Sequence, residues 1–153
     1  MKFYLAGPVG YGNPGREWKE KIKSMLIRYG HDVWDPIEND ANYPLVDNMN
    51  KMKEKPKIYF KEIKEIMQGL FIDDCKFIEE CDFLICYFIN KSYGTVSEQG
   101  IAYYASKLLN KKVKTLCLFH DSFFPDEWVL CCCDYVFFSI EELENFIEGR
   151  FCK

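Results

Sequence analysis

The chain has 153 residues, of which 48% are apolar, 29% are charged and 17% are aromatic, and its formal net charge is -4 at pH 7. This composition predicts one globular domain over residues 1–153 with a well-developed buried core. The acidic balance and the lack of a dense Lys/Arg block argue against nucleic acid or a membrane surface as the main partner, so small molecules or proteins are expected.

The amino-terminal apolar run stops at Gly7 and Pro8, which is too short for a signal peptide or a membrane span, so we expect a cytoplasmic protein. The eight cysteines are interpreted as reduced thiols, because residues such as Cys86 and Cys117 fall in apolar, strand-like runs. Cys131–Cys133 lack C-x-x-C spacing and have no nearby histidine. They predict buried small side chains rather than a zinc site, and no metal or other cofactor is expected.

The first half of the chain alternates between strand-like and helix-like segments. Residues 2–6 form an apolar β-type run that ends in the loop GPVGYGNPG. Residues 16–30 repeat apolar side chains at helical spacing and end at Gly30. HDVWDP, residues 31–36, predicts a second strand. The polar, irregular stretch 38–57 is predicted to be a long loop that could serve as a lid or a substrate-facing insertion.

The second half continues the alternation and carries the most apolar strand. The predicted elements are a helix over 58–81, a strand over 82–89 that suits burial on both faces, a helix containing Glu98, strands over 112–119 and 135–138, and a helix over 140–151. The first of these helices could break at Gly69. Ser139 and Glu142 form a capping box that predicts the start of the last helix.

This alternation predicts an α/β fold, namely a single doubly wound, flavodoxin-like, five-stranded parallel sheet with helices on both faces. We predict the strand order 2-1-3-4-5, in which the order reverses between the first and third strands. Ligands bind at such a reversal, outside the carboxyl ends of the strands. The loops that leave those ends are GPVGYGNPG and NKSYGT, so the ligand cleft is expected between them.

Glu98 has two interpretations that use the same local geometry. Thr95 and Glu98 match the S/T-x-x-E capping box, so Glu98 could be a structural cap at a helix start. The same position would hold a carboxylate in the ligand cleft and keep it ionised through the helix dipole. Tyr4, near the end of the first strand, could reach this carboxylate or could only pack in the core. Asp73 and Asp74 could be a solvated helix face.

Three segments of the chain, FYLAGPV, DDCKFIEECDFLICYF and SYGTVSEQGIAYYASKLLNKKV, together resemble the nucleoside 2-deoxyribosyltransferases and the related N-glycoside hydrolases of nucleotides. The third segment matches the family pattern G-T-x-x-E-x-G-x-A, and the resemblance covers most of the chain. It implies that Glu98 attacks the anomeric carbon and that Tyr4 hydrogen-bonds and positions it. Asp74, eight residues before Asp82, would handle the proton on the departing base, with Asp73 as the alternative.

The resemblance also implies a sugar pocket, with nucleosides and free nucleobases as its ligands. Gly7 and Pro8, together with the backbone around Gly94, would line this pocket. In the family, a residue from a neighbouring subunit completes the pocket, so a homodimer or higher homo-oligomer is implied. The aromatic run 123–138 offers the apolar contact that such an assembly needs.

Two positions depart from the pattern of many family transferases. Six residues before Glu98, where those enzymes have an aspartate that holds the sugar 5'-hydroxyl, this chain has Ser92, as do the family's monophosphate hydrolases. The partner-subunit position, often Asn or Ser, corresponds to Asp126, with Trp128 two residues later. A phosphate beside a carboxylate is unfavourable, so Asp126 favours a free nucleoside over a 5'-monophosphate.

The residue types fit cleavage of a sugar-base bond, because a carboxylate can trap the oxocarbenium-like centre while a second acid protonates the base. The intermediate can pass to another base or to water, and the sequence leaves transferase and hydrolase open, as it leaves base and ribose specificity open. A non-catalytic nucleotide sensor is the alternative from another class. The joint presence of Tyr4, Asp74 and Glu98 favours the enzyme. A flavin site is disfavoured because the Gly-Pro loop lacks Ser/Thr.

Overall fold

The computed structural model describes residues 1–8, 17–36, 56–89 and 92–151 of the chain. Most of the predicted loop 38–57 lies outside these residues, except that Pro56 and Lys57 already belong to a helix. The loop GPVGYGNPG after Pro8 and the first two residues of NKSYGT also lie outside them.

Five strands and five helices are found in the described part of the chain. The strands are β1 (Lys2–Ala6), β2 (Asp32–Trp34), β3 (Phe83–Phe88), β4 (Lys114–Phe119) and β5 (Tyr135–Phe137). The helices are α1 (Glu17–Arg28), α2 (Pro56–Glu80), α3 (Tyr93–Leu108), α4 (Glu127–Cys131) and α5 (Ile140–Phe151). All four strand pairs are parallel and the order is β2-β1-β3-β4-β5, which confirms the predicted α/β sheet.

The sheet separates two buried apolar clusters, because successive side chains of a strand point to opposite faces. On one face, Phe3 and Leu5 of β1 pack with Trp18 and Ile22 of α1 and with residues of α5. On the other face, Tyr4 of β1 packs in a cluster that contains residues of α2, α3 and α4. Helices therefore cover both faces, as the apolar runs predicted.

The helix boundaries follow local chemistry in most places. Gly30 follows the end of α1 and has φ +74°, a conformation that glycine adopts without strain. This confirms that the helix stops before Gly30, as predicted. At the start of α5, the Ser139 hydroxyl accepts a hydrogen bond from the Glu142 N–H (3.1 Å), which confirms the predicted cap. The break at Gly69 is wrong, since α2 runs through it without interruption. The short helix α4 was not predicted.

The cysteines differ from the prediction at one place. The seven in the described residues are free thiols, and Cys81, Cys86 and Cys117 are buried. Cys131, however, is exposed, so the run 131–133 is not simply a set of buried small side chains. It lies at the end of the short helix α4, where only one side of the chain faces the core. No helix in the described residues is long and apolar enough to cross a membrane.

Candidate active site

The candidate site lies at the carboxyl edge of the sheet, where the strand order reverses between β1 and β3. Tyr4 is in register with Leu84 of β3 on one side and with Trp34 of β2 on the other. Helix α3 follows β3 after a short connection and packs on the same face as Tyr4. This topology brings Glu98 of α3 to Tyr4, although 94 residues separate them in the sequence.

The central contact of the site is a hydrogen bond from the Tyr4 hydroxyl to Glu98 Oε1 at 2.9 Å. The Tyr4 side chain is fully buried. Its pKa is raised far above the usual value, chiefly by burial and then by the charges of Glu98 and Asp74, both of which also hydrogen-bond its hydroxyl. The structure thus joins Tyr4, Asp74 and Glu98 through one buried phenol that stays protonated.

Glu98 is not a helix cap, and the capping box predicted with Thr95 is wrong. Helix α3 begins at Tyr93, and its N-cap is Ser92, whose hydroxyl accepts from the Thr95 N–H at 3.4 Å. Glu98 is therefore the sixth residue of the helix. The helix dipole acts most strongly in the first turn, and Glu98 lies beyond that turn. Its carboxylate accepts a hydrogen bond from Tyr4, which is too far away in the sequence for a local pattern to indicate it.

The electrostatic surroundings of Glu98 oppose its ionisation on balance. The pKa of Glu98 is raised to about 7, chiefly by burial, and the charge of Asp74 also acts to raise it. The Tyr4 hydrogen bond and the charge of Lys19 lower it, while Asp35 raises it. Burial, not the dipole, therefore sets the acidity of this carboxyl, and it titrates in the neutral range where an acid, base or nucleophile is most useful.

The structure distinguishes the two neighbouring aspartates of α2. Asp74 is partly buried and hydrogen-bonds the Tyr4 hydroxyl. Asp73 is exposed and forms a surface ion pair with Lys76, with 2.9 Å between Nζ and Oδ1. Asp74 is therefore the aspartate that shares the site with Glu98, and Asp73 faces solvent.

A buried ion pair beside the site was missed by the sequence analysis. Lys19 Nζ lies 2.8 Å from Asp35 Oδ1, and the two side chains are only 3% and 7% exposed. Lys19 is on the first turn of α1 and Asp35 directly follows β2. The only sequence signals were a lysine beside the buried Trp18 and an acid at the carboxyl end of a strand, and neither indicates pairing across 16 residues.

The start of the Gly-Pro loop is packed tightly against α1. Gly7 is buried, and a Cβ atom at this position would clash with the ring of Trp18. Pro8 follows and is partly buried. Gly94 is different, because it is exposed in the first turn of α3 and an added Cβ would meet no atom within 4 Å. Glycine is thus sterically required at Gly7, whereas at Gly94 it leaves open space.

Ser92 and Asp126, both predicted for the 5' end of the sugar, are helix N-caps in the structure. The Ser92 hydroxyl accepts from the Thr95 hydroxyl at 2.9 Å as well as from its N–H. Asp126 Oδ1 accepts from the Val129 N–H at 3.0 Å at the start of α4. Asp126 and Trp128 are exposed, and Trp128 shows 79% of its surface. These two side chains face outward from the subunit.

Gln99, the residue next to Glu98, links α3 to β4 and α4 and was also missed. Its side chain is 1% exposed, and Nε2 donates to the Val129 carbonyl at 3.0 Å. The same nitrogen lies 3.2 Å from the Cys117 sulfur and 3.3 Å from that of Cys133. These bonds fix the rotation of α3 and so direct Glu98 toward Tyr4. Among the described residues, no group of three or more His, Cys, Asp or Glu side chains could hold a metal ion.

Comparison with known proteins identifies the relatives of this chain. The family model described as nucleoside 2-deoxyribosyltransferase matches residues 3–122. The solved 2-deoxyribosyltransferase of Bacillus psychrosaccharolyticus is 19% identical, with a TM-score of 0.65 over 95% of this chain and 91% of that one. The solved CMP N-glycosidase of Clostridium botulinum is 15% identical, with a TM-score of 0.53 over 97% of this chain and 99% of that one. No curated protein sequence matched.

Proposed function

Because the chain belongs to the nucleoside 2-deoxyribosyltransferase family, an enzyme family acting on nucleosides and nucleobases, we propose that it cleaves the N-glycosidic bond of 2'-deoxynucleosides through a glycosyl-Glu98 intermediate and transfers the sugar to another base. The observation that carries the proposal is the hydrogen bond between Tyr4 and Glu98 at the carboxyl edge of the sheet, with Asp74 on the same hydroxyl. A non-catalytic sensor would not need two carboxyl groups on one buried phenol.

In the proposed first step, the ionised Glu98 carboxylate attacks the anomeric carbon of the sugar. The bond from that carbon to the base nitrogen breaks, and its electron pair leaves with the base. In the second step, a nitrogen of another base attacks the same carbon and releases Glu98, and the proton of that nitrogen passes to the group that protonated the departing base. Two displacements at one carbon retain its configuration. Nothing in either step requires a metal or a redox cofactor.

Tyr4 can serve both carboxyl groups only if they differ in protonation. A phenol has one O–H to donate, which it gives to Glu98, while its oxygen can accept a hydrogen bond. A protonated Asp74 would supply that second bond and would satisfy all three groups. Asp74 would then hold the proton that the departing base needs. The pair would work as nucleophile and acid because their surroundings assign them different protonation states.

Transfer and hydrolysis can be separated by one incubation of the protein with a mixture of deoxynucleosides and free bases, followed by chromatography. New base-sugar pairings are the expected result, whereas free bases alone would mean hydrolysis and would correct the proposal. No change in any nucleoside would contradict the activity itself. Glu98→Ala should abolish cleavage and retain the wild-type circular dichroism spectrum. Turnover at the wild-type rate in that folded variant would overturn the role of Glu98.

For the 5' end we propose a free hydroxyl rather than a phosphate. A phosphate within about 4 Å of the Asp126 carboxylate would cost several kcal/mol at an effective dielectric near 20. A hydroxyl can instead donate to Asp126 and accept from Ser92. Since Asp126 is exposed in the single subunit, this penalty requires a neighbouring subunit to cover it. Comparing kcat/KM for a deoxynucleoside and its 5'-monophosphate, in wild type and Asp126→Asn, tests the proposal. A wild-type preference for the monophosphate would contradict it.

We propose that the enzyme is a homo-oligomer whose interface includes the surface around α4. Three aromatic side chains are exposed on this surface, namely Phe124 (95%), Trp128 (79%) and Phe138 (63%). Large exposed aromatic side chains are the kind that a subunit interface buries. Light scattering should give a mass above that of one chain, and Trp128→Asp should lower it together with the activity. A monomer with full activity at nanomolar concentration would rule this assembly out.

A further inference from the structure

We propose that Lys19, held in place by Asp35, is a positioning residue for the reaction, because this buried pair fixes a positive charge at the edge of the sheet where Tyr4 binds Glu98. This inference rests on the proposed function, since it concerns the residue proposed to attack the sugar. It assigns a purpose to an ion pair that the sequence analysis missed.

The geometry places this ammonium at the edge of the sheet that carries the site. Trp18 packs its ring on Gly7 directly after β1, and Lys19 is the next residue of α1. Asp35, the partner of Lys19, follows Trp34, which is in register with Tyr4. The pair is therefore anchored beside the strand end whose tyrosine binds Glu98.

Burial makes the pair a costly feature if its only purpose is stability. Lys19 and Asp35 are 2% and 5% exposed as whole residues. Removing two charges from water costs free energy, and the attraction between them offsets only part of that cost. Lysines are almost never so buried without a partner. A buried charge also acts over a longer distance than a surface charge, because little water screens it.

Groups from five elements act on Glu98, and they act in both directions. Tyr4 comes from β1, Cys86 from β3, Asp74 from α2, Lys19 from α1 and Asp35 from the end of β2. The negative charge of Asp35, and that of Asp74 when it is ionised, opposes a third negative charge nearby. Lys19 supplies positive charge and Tyr4 supplies a hydrogen bond, and these two favour the carboxylate.

The pair has a signature that a purely structural ion pair lacks, because its two members act on Glu98 with opposite sign. Lys19→Met removes the positive charge, so the pKa of Glu98 should rise, by on the order of one unit. Asp35→Asn removes a negative charge, so the pKa should not rise. Both changes break the same ion pair, so a structural role would disturb the site in the same direction in both. Lys19→Arg keeps the charge and should stay near wild type.

The experiment is a carbon-13 NMR titration of the Glu98 carboxyl in glutamate-labelled protein, with the signal assigned by its loss in Glu98→Gln. A matching rise in the acid limb of the kcat/KM profile is expected in Lys19→Met, with about tenfold lower kcat/KM at a pH below the limb. The Lys19→Met/Asp35→Asn double variant should return the pKa toward wild type, since opposite charges are removed together. If Lys19→Met does not fold, the double variant compared with Asp35→Asn isolates the same charge.

An unchanged pKa in Lys19→Met, or a rise in both single variants, would overturn the proposal. The titration does not depend on turnover, so this result is separate from the test of the proposed function. Activity in a folded Glu98→Ala variant would remove Glu98 as the nucleophile and would leave the order of the measured pKa values as it stands.

Discussion

The stability of the protein should depend on pH through Glu98, and replacing this residue by glutamine should remove that dependence. Burial raises the pKa of Glu98 from its usual 4.5 to about 7. The folded state therefore holds the Glu98 proton more tightly than the unfolded state does. Between about pH 4.5 and 7 the folded state binds more protons, so the free energy of unfolding falls as the pH rises.

The magnitude follows from the two pKa values, which differ by about 2.5. Each unit corresponds to about 1.4 kcal/mol, so the contribution lost between pH 4.5 and pH 8 is about 3 kcal/mol. This figure is an upper bound, because the Glu98 side chain is only partly buried and solvent screens part of the effect. Glutamine keeps the shape and a hydrogen-bonding oxygen but does not titrate.

Urea unfolding of wild type and Glu98→Gln at several pH values, at one fixed protein concentration, measures the effect. The variant should gain stability relative to wild type as the pH rises from 5 to 8. Glu65→Gln, which removes an exposed carboxyl on α2, controls for the loss of one surface charge. If the stabilities of Glu98→Gln and wild type change in parallel over this range, Glu98 does not have the raised pKa and the electrostatic reasoning fails.

Three further substitutions test the contacts of the site. Tyr4→Phe should lower kcat/KM by roughly 10- to 100-fold and move the acid limb of its pH profile to higher pH, because Glu98 loses the hydrogen bond that favours its ionised form. An acid limb at the wild-type pH would contradict this role of Tyr4. Asp74→Asn should reduce kcat far more than Asp73→Asn, since only Asp74 bonds Tyr4; equal losses in steady-state assays would refute the distinction. Gly7→Ala should lower the free energy of unfolding in urea by roughly 1–3 kcal/mol, because the new Cβ clashes with Trp18. Gly100→Ala is the control, because a Cβ there meets no atom within 4 Å, and equal unfolding midpoints for the two variants would exclude this packing.

The fold could be predicted from the sequence because its signals are local and repeated. The apolar runs that became β1, β3 and β4 are each bounded by turn residues, and their alternation with helices restricts the topology to parallel crossovers. The family pattern then indicated Tyr4, Asp74 and Glu98, and the structure brings these three side chains together.

The rest depended on contacts between distant segments. Ser92 and Thr95 are both good capping residues three positions apart, and the sequence pattern favours Thr95 because Glu98 completes a capping box with it. In the structure Ser92 caps α3, and the Glu98 carboxylate instead accepts a hydrogen bond from Tyr4 of β1. The pairing of Lys19 with Asp35 likewise requires knowing that α1 packs beside β2.

The packing of Gly7 on Trp18 makes two separate positions into a single steric unit. Any side chain larger than glycine at position 7 needs space that the indole now occupies, so substitutions at 7 and 18 are expected to be tolerated in pairs rather than singly. Engineering the start of this loop is therefore a problem of core redesign, in which the volume added at one position must be removed at the other.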